Sequence, residues 1–435
     1  MFDLRAAGAK LSRLVCAALL MGASAVPAAT LIHAGRVIDG VSDTVKTNQT
    51  VVVDAGKITA IENGFRVPVA GDRVIDLEKG TLLPGLMDSH VHLSSEQSRR
   101  TELERYTLND TDRTIDAVVF ANRTLLAGFT TVRDLGDGSG AVISLARAVN
   151  AGKVPGPRII AAGKPIGSTG GHADPTNGWS RGIEPVGDVE DGVVDSADAA
   201  RKAVRLRYKE GAQTIKIMAS GGVLSLETHG SAPQMTEDEI RAVVQAARDY
   251  GFKVAAHAHG AEAIKRAVRA GVDSIEHGTF MDEEGMKLMK ERGTYYVPTL
   301  SAAKWVNDKA QDPTFFPAVI RPKALEIGPQ IRQTLGKAYK YGVKIMFGTD
   351  TGVSAHGDNA KEFGLLVEAG MPPMQAIRAA TSVPAKFLEI DDKTGSIAVG
   401  KLGELVGVPG DPLQDINVME HPVFVMKDNT VYKAP

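Results

Sequence analysis

The stretch GLMDSHVHLS, residues 85–94, places two histidines one residue apart behind an apolar run. On an extended strand, residues i and i+2 project from the same face, so His90 and His92 can grip one ion together. Alone, the pair fits an ordinary polar strand end equally well. Other ionisable residues also close short apolar runs: Lys216 in TIKIMASGG, His257 and His259 in VAAHAHG, His277 in SIEHG and Asp350 in FGTD. Neutral imidazoles and carboxylates are good ligands for zinc, and catalytic sites leave a position open for water. The single cysteine, Cys16, lies in an N-terminal segment that reads as a leader. Disulfides and thiolate ligands are thereby excluded, and a transition-metal site has to be built from His, Asp, Glu and Lys.

Lys216 has two readings. Half-buried amid apolar residues, its ammonium is disfavoured, and divalent cations nearby would repel it. It is either a salt-bridged or snorkelling lysine, which simple electrostatics prefers, or a lysine carbamylated by CO2 and so turned into an anionic bridge. Polar residues in loops form a second group. His172, in STGGHAD, either polarises a substrate carbonyl, binds a substrate carboxylate, or makes a loop hydrogen bond. His259 shares a face with His257 and either supports it or touches substrate. Ser94 either touches substrate or caps a helix. His229 and Thr228 are candidates for specificity. Tyr295 and Tyr296 read as packing residues, and Asp134 either orients a ligand or, the preferred reading, makes a structural ion pair in the surroundings of Arg133.

The elements that must position these groups follow one pattern. A helical stretch ends in glycine, and a short β-rich run follows: AGFTTVRD, EGAQTIKIMAS, YGFKVAAHAHG, AGVDSIEHG, RGTYYVPTL, YGVKIMFGTD. Glycine just past a helix end takes positive φ without penalty. TEDEIRAVVQAARDY opens with a capping box, Thr236 and Glu239. With LLPGLMDSHVH and PRIIAAGKPIG, about eight strands fall between residues 82 and 350. This predicts an α/β fold, a (β/α)8 TIM-like barrel over residues 85–395, whose functional groups collect at the C-terminal ends of the strands. An open doubly wound sheet is the alternative, but no Gly-rich dinucleotide fingerprint follows the first strand. Residues 30–84 and 396–435 alternate polar and apolar with turn signals, which predicts one small β-sandwich domain built from both chain ends.

Residues 1–29 differ from the rest: Arg5, Lys10 and Arg13 precede the apolar run LVCAALLMGASAVPAA. This reads as a signal peptide, cleaved after Ala25 or near Ala28 or Ala29, and implies export to a periplasm or the medium. The 435-residue chain carries 50 basic and 52 acidic side chains, which argues against a nucleic-acid partner or a polybasic membrane surface. No membrane anchor is expected in the mature chain.

The motifs GLMDSHVHL, TIKIMASGGV, AAHAHG, SIEHG and GTD, in this order and spacing, resemble the amidohydrolase superfamily. Within it they are most similar to the imidazolonepropionase-like branch of metal-dependent carboxypeptidases and prolidases, and the likeness runs from about residue 30 to 435. LERYTLNDTDRTIDAVVFANRTLLAGFTTVRDLG and TIKIMASGGVLSL are similar to the ochratoxin A-hydrolysing members. The resemblance implies that residues matching His90, His92 and Asp350 bind the more buried of two divalent ions, zinc in the first instance. Those matching His257 and His277 bind the other, and Lys216 matches a carbamylated bridge. Near the C-terminus, Glu404 stands where relatives commonly have Asp, in the accessory domain and away from catalysis.

Between two close metal ions a bridging hydroxide forms near neutral pH and attacks a carbonyl, and Asp350 can shuttle the proton to the leaving nitrogen. The expected reaction is amide hydrolysis that releases a C-terminal amino acid from dipeptides or N-acyl amino acids, ochratoxin A among them. A lactonase, an N-acyl deacetylase, or a non-catalytic binding protein on the same scaffold are the alternatives. A homo-oligomer is expected, as barrels of this kind often associate.

Overall fold

The computed structural model describes residues 29–180, 182 and 186–435. The expected leader, with Cys16, lies outside the described residues except for Ala29. In chain order the strands are β1 (Thr30–Val37), β2 (Lys46–Asp54), β3 (Lys57–Asn63), β4 (Arg73–Pro84), β5 (Leu86–Val91), β6 (Phe129–Asp134), β7 (Arg158–Ala161), β8 (Ile215–Met218), β9 (Val254–Ala258), β10 (Ser274–His277), β11 (Tyr295–Val297), β12 (Lys344–Ile345), β13 (Leu405–Pro409), β14 (Phe424–Lys427) and β15 (Thr430–Lys433). The fold is mixed α/β. Strands β5–β12 are the eight runs expected from the glycine-punctuated pattern, and they pair in parallel as β5-β6-β7 and as β8-β9-β10-β11-β12.

Two bridges link the edges of these sheets: Val91 with Thr351, and Ile166 with Ile217. A buried ion pair also joins them, Arg133 of β6 to Glu276 of β10 at 2.9 Å. Amphipathic helices follow the strands and bury their apolar faces in one large core. The helix Glu237–Asp249 begins with the anticipated capping box, Thr236 Oγ1 accepting from Glu239 N–H and Glu239 accepting from Thr236 N–H. Helix-terminal Gly211 and Gly342 sit at φ 104° and 91°, a region that costs other residues dearly.

The chain ends meet in one sheet of order β15-β14-β13-β4-β1-β2-β3. This differs from the two-sheet sandwich expected. β4 is long enough to pair with β1 along one edge and with β13 along the other, so hydrogen bonding runs unbroken through seven strands. A register shift between Ala34 and Arg36 bends the sheet, and it encloses its own core of Ile32, Val51, Val53, Leu77, Leu405 and Phe424. Glu404, buried at the start of β13, holds Arg158 of β7 at 2.8 Å and receives Gly85 N–H through its carbonyl at 2.7 Å. Glu404 therefore fastens the terminal sheet to the helix-flanked strands.

Candidate metal centre and active site

A cavity of about 300 Å3 opens where β5 and β8–β10 end, and His90, His92, His172, Lys216, His257, His259, His277 and Asp350 all line it. The strand-end residues singled out from sequence thus converge. One ligand atom each from His90, His277 and Asp350 lie within 4.8 Å of one another. Asp350 Oδ1 is 3.1 Å from His92 Nε2 and 3.5 Å from His90 Nε2. His257 and His277 ring centroids are 4.6 Å apart.

Each imidazole of the cluster has one nitrogen fixed by an oxygen. His90 Nδ1 meets Glu276 Oε2 at 2.9 Å, His92 Nδ1 meets Gly136 O at 2.9 Å, and His277 Nδ1 meets Thr299 Oγ1 at 2.8 Å. His257 is reversed: its Nε2 meets Gly221 O at 2.9 Å, which leaves Nδ1 for the cavity. One anchored nitrogen and one free nitrogen is the arrangement that orients an imidazole for a metal. Burial, with Lys216 nearby, lowers His90 to about 4, and burial and the neighbouring histidines hold His257 and His277 well below the ordinary range. These rings are neutral, as ligands must be. For His92, burial opposes a charge, but the hydrogen bond to Asp350 raises its pKa. Burial likewise works against a charge on Asp350, yet His90 and His92 hold its carboxyl below the ordinary range.

Lys216 is 2% exposed, and burial lowers its ammonium to about 8. Among the described residues no carboxylate lies within 4.0 Å of Nζ, whose recorded polar contact is His90 Nε2 at 3.4 Å. The salt-bridged reading therefore lacks its partner. Two site residues carry backbone strain: His277 and Asp350 have φ of 67° and 58°. Non-glycine residues are rarely held there, and such strain gathers at functional sites.

The remaining candidates divide. His172 lines the cavity, its ring centroid 4.5 Å from that of His257, and burial lowers it to about 4. His259 also faces the cavity, with Nδ1 at 2.8 Å from Thr279 Oγ1. Ser94 is buried outside the cavity lining, and Ser95 lines it instead. β5 ends at Val91, so strand alternation no longer holds and the cavity residue falls one position later than counting by twos gives. His229 and Thr228 are exposed and outside the cavity lining. Tyr296 is buried and its hydroxyl donates to His277 O at 2.8 Å, so it packs as expected and also braces a site residue. Asp134 accepts Leu93 N–H at 2.7 Å just past His92, and among the described residues the ion pair expected near Arg133 is made by Glu276 instead.

Sequence reading missed Glu276, which is fully buried, accepts from Arg133 and Ser274 as well as meeting His90, and is held at about 2. Burial would raise that carboxyl, but Arg133, His90 and Lys216 together outweigh it. Also missed was an apolar wall across the cavity: Ala302 and Val306 of the helix Leu300–Ala310, and Ile327 and Ile331 of the helix Ile320–Tyr341, with Val223 and Leu224. Their i, i+4 spacing was legible, but it reads as core until the cavity is seen.

Comparison with known proteins shows the family. The model of the amidohydrolase family matches residues 81–434. Ochratoxinase of Aspergillus niger is 30% identical over 442 residues, covering 93% of this chain and 87% of that protein. Its crystal structure superposes with a TM-score of 0.81 at 27% identity, covering 94% of this chain and 96% of that one. A Xaa-Pro dipeptidase crystallised with methionine in its active site is 51% identical with a TM-score of 0.91, covering 94% of this chain and all of that one. The chain belongs to the amidohydrolase family and is a hydrolytic enzyme acting on amide bonds.

Proposed function

We propose that this chain is a two-metal amidase that releases a C-terminal amino acid with an apolar side chain from dipeptides and N-acyl amino acids. The observation that carries this reading is one cavity combining four anchored imidazoles, Lys216 and Asp350 with an apolar wall. His90, His92 and Asp350 would hold one divalent ion, zinc suiting the nitrogen and oxygen donors. His257 and His277 would hold the second. Lys216 would lie between them as a carbamate, the form that gives a buried lysine without a carboxylate partner a negative charge suited to two cations. To form it, the neutral amine bonds to the carbon of CO2, one C–O π bond opens, and a proton leaves to solvent.

Two such ions, when bound, ease deprotonation of a water between them and polarise a carbonyl. The chain's own residues do the rest. Asp350 takes the proton of the attacking water and passes it to the leaving nitrogen. Ala302, Val306, Ile327 and Ile331 bury the apolar side chain of the residue released and exclude water. His172 and His259 line the same cavity and touch substrate. The name of the Aspergillus niger relative supports adding ochratoxin A, an amide of phenylalanine. The parallel strands close, in this reading, into a (β/α)8 barrel over residues 85–395, a closure the two edge bridges support. The terminal sheet forms a second domain from residues 30–84 and 396–435, and the leader exports the chain.

The test is a panel of N-acyl amino acids differing only in the C-terminal residue, with free amino acid as the readout. Phenylalanine, leucine and methionine should be released, and aspartate and lysine at rates lower by about 100-fold, because the wall gives a charge no partner. Equal rates across the panel would refute the assignment of the wall. No release from any member would refute the amidase reading.

A further inference from the structure

The apolar wall rests on a helix that cannot complete its own hydrogen bonding. Pro329 stands inside the helix Ile320–Tyr341, two residues from each of the wall residues Ile327 and Ile331. Proline has no N–H, so the carbonyl four residues earlier, that of Leu325, loses its helical donor. A neighbouring helix supplies one. Asn307, next to the wall residue Val306 on the helix Leu300–Ala310, donates its side-chain amide to Leu325 O at 3.1 Å. Gly328 lets the two helices approach this closely, since a Cβ there would come within 3.0 Å of the Asn307 side chain.

Both halves of the proline-bearing helix are fastened to loops that border the cavity. Before the proline, Lys323 donates to the carbonyl oxygens of Gly222, Ser225 and Glu227 at 2.9, 2.7 and 2.8 Å. These are charge-assisted bonds, and the loop they hold carries Val223 and Leu224 of the wall. After the proline, Thr334 Oγ1 donates to Thr279 O at 2.7 Å, and the Thr279 hydroxyl meets His259 Nδ1 at 2.8 Å. A proline inside a helix allows a bend at that point. With both halves held, the angle between them turns on the contact at the middle, which Asn307 makes. That angle sets how far Ile327 and Ile331 stand from Ala302 and Ala303, whose small side chains leave depth for a large group.

We infer that Asn307 is a positioning residue that sets specificity. By taking up the carbonyl that Pro329 leaves free, it holds Ile327 and Ile331 at the spacing that fits a large apolar side chain, phenylalanine rather than alanine. Without that bond the Leu325 carbonyl is left unpaired beside the core, and the helix relieves it by turning the carbonyl to water. Ile327 and Ile331 then lose their register with the rest of the wall. A substrate with a short side chain makes little contact there and is affected far less. The substrate preference rests on the amidase reading above. The pairing of Asn307 with Pro329 does not.

The test is a double-mutant cycle on the metal-loaded enzyme. Asn307→Leu keeps a side chain branched at Cγ and removes the donor. It should lower kcat/KM for N-acetyl-L-phenylalanine about tenfold more than for N-acetyl-L-alanine, because only the former fills the wall. Pro329→Ala gives residue 329 an N–H for Leu325 O, so in that background Asn307→Leu should leave the ratio of the two substrates as it was. A packing role for Asn307 would be kept by leucine and would move neither ratio. Thermal unfolding reads the pairing without substrate. Asn307→Leu should lower the melting temperature of the wild type by about 2 °C and leave that of Pro329→Ala in place. An unchanged ratio in the wild-type background, or an equal loss in both backgrounds, would overturn the inference. Failure to hydrolyse either compound would count against the amidase reading. The melting temperatures would still decide the pairing, and equal shifts in both backgrounds would refute it.

Discussion

Lys216 is the side chain on which the readings of the centre diverge. As an ammonium it would stand 3.4 Å from His90 Nε2 with no carboxylate in contact, and as a carbamate it would offer two anionic oxygens to the same imidazole cluster. The two forms respond differently to replacement. Lys216→Ala should lower activity by about 100-fold or more, because the charge that holds two cations together is gone. A short carboxylic acid such as propionate, diffusing into the space, should restore part of it, whereas a short amine should not. Rescue by the amine alone would favour the ammonium. At this scale the sequence was readable for groups that end a strand and face along it, which is why all six proposed ligands converge. It was unreadable where the backbone departs from regular alternation. Glu276 and His277 are neighbours on β10 and should face opposite ways, but φ of 67° at His277 turns that ring, and both contribute to the site. Ser94 and Ser95 exchange roles for a similar reason, since β5 stops at Val91.

At the scale of elements, the helix Leu300–Ala310 supplies both the apolar wall and the residue before it, Thr299, which fixes His277. Its first two N–H groups, of Leu300 and Ser301, are received by the carboxyl of fully buried Glu362 at 2.9 and 2.7 Å. Burial pushes that carboxyl up to about 7 from an ordinary 4.5. A group whose folded pKa is raised binds more protons in the folded than in the unfolded state. Stability should therefore fall as pH rises from about 4.5 to about 7, by about 3 kcal/mol from this residue, and level off above. Denaturant unfolding of metal-free wild type and Glu362→Gln across that window checks it. The wild type should lose more stability with rising pH, and parallel profiles would contradict the role. Nothing local in the sequence marks Glu362 or Lys323, because each meets its partners across tens of residues of chain. The glycine-ended helices and the Thr236–Glu239 capping box were legible because their causes lie within a few residues.

For the whole molecule, composition and the repeated helix–glycine–strand pattern were enough to anticipate eight parallel strands and a separate β unit drawn from both ends. How that unit closes was not readable, since one continuous seven-stranded sheet and two stacked sheets share the same alternation. The contact between Arg158 and Glu404 ties this sheet to β7, so the chain ends brace the β5-β6-β7 sheet that carries His90. All of this architecture serves to bring His90, His92, Lys216, His257, His277 and Asp350 to one cavity from the ends of four strands and the segment after β12. The most direct test of that claim is a titration of chelator-stripped protein with zinc, following bound metal and release of phenylalanine from N-acetyl-L-phenylalanine together. Activity should appear with metal and reach its plateau at two ions per chain. Full activity in the stripped protein, or a plateau at one ion, would contradict the two-metal account.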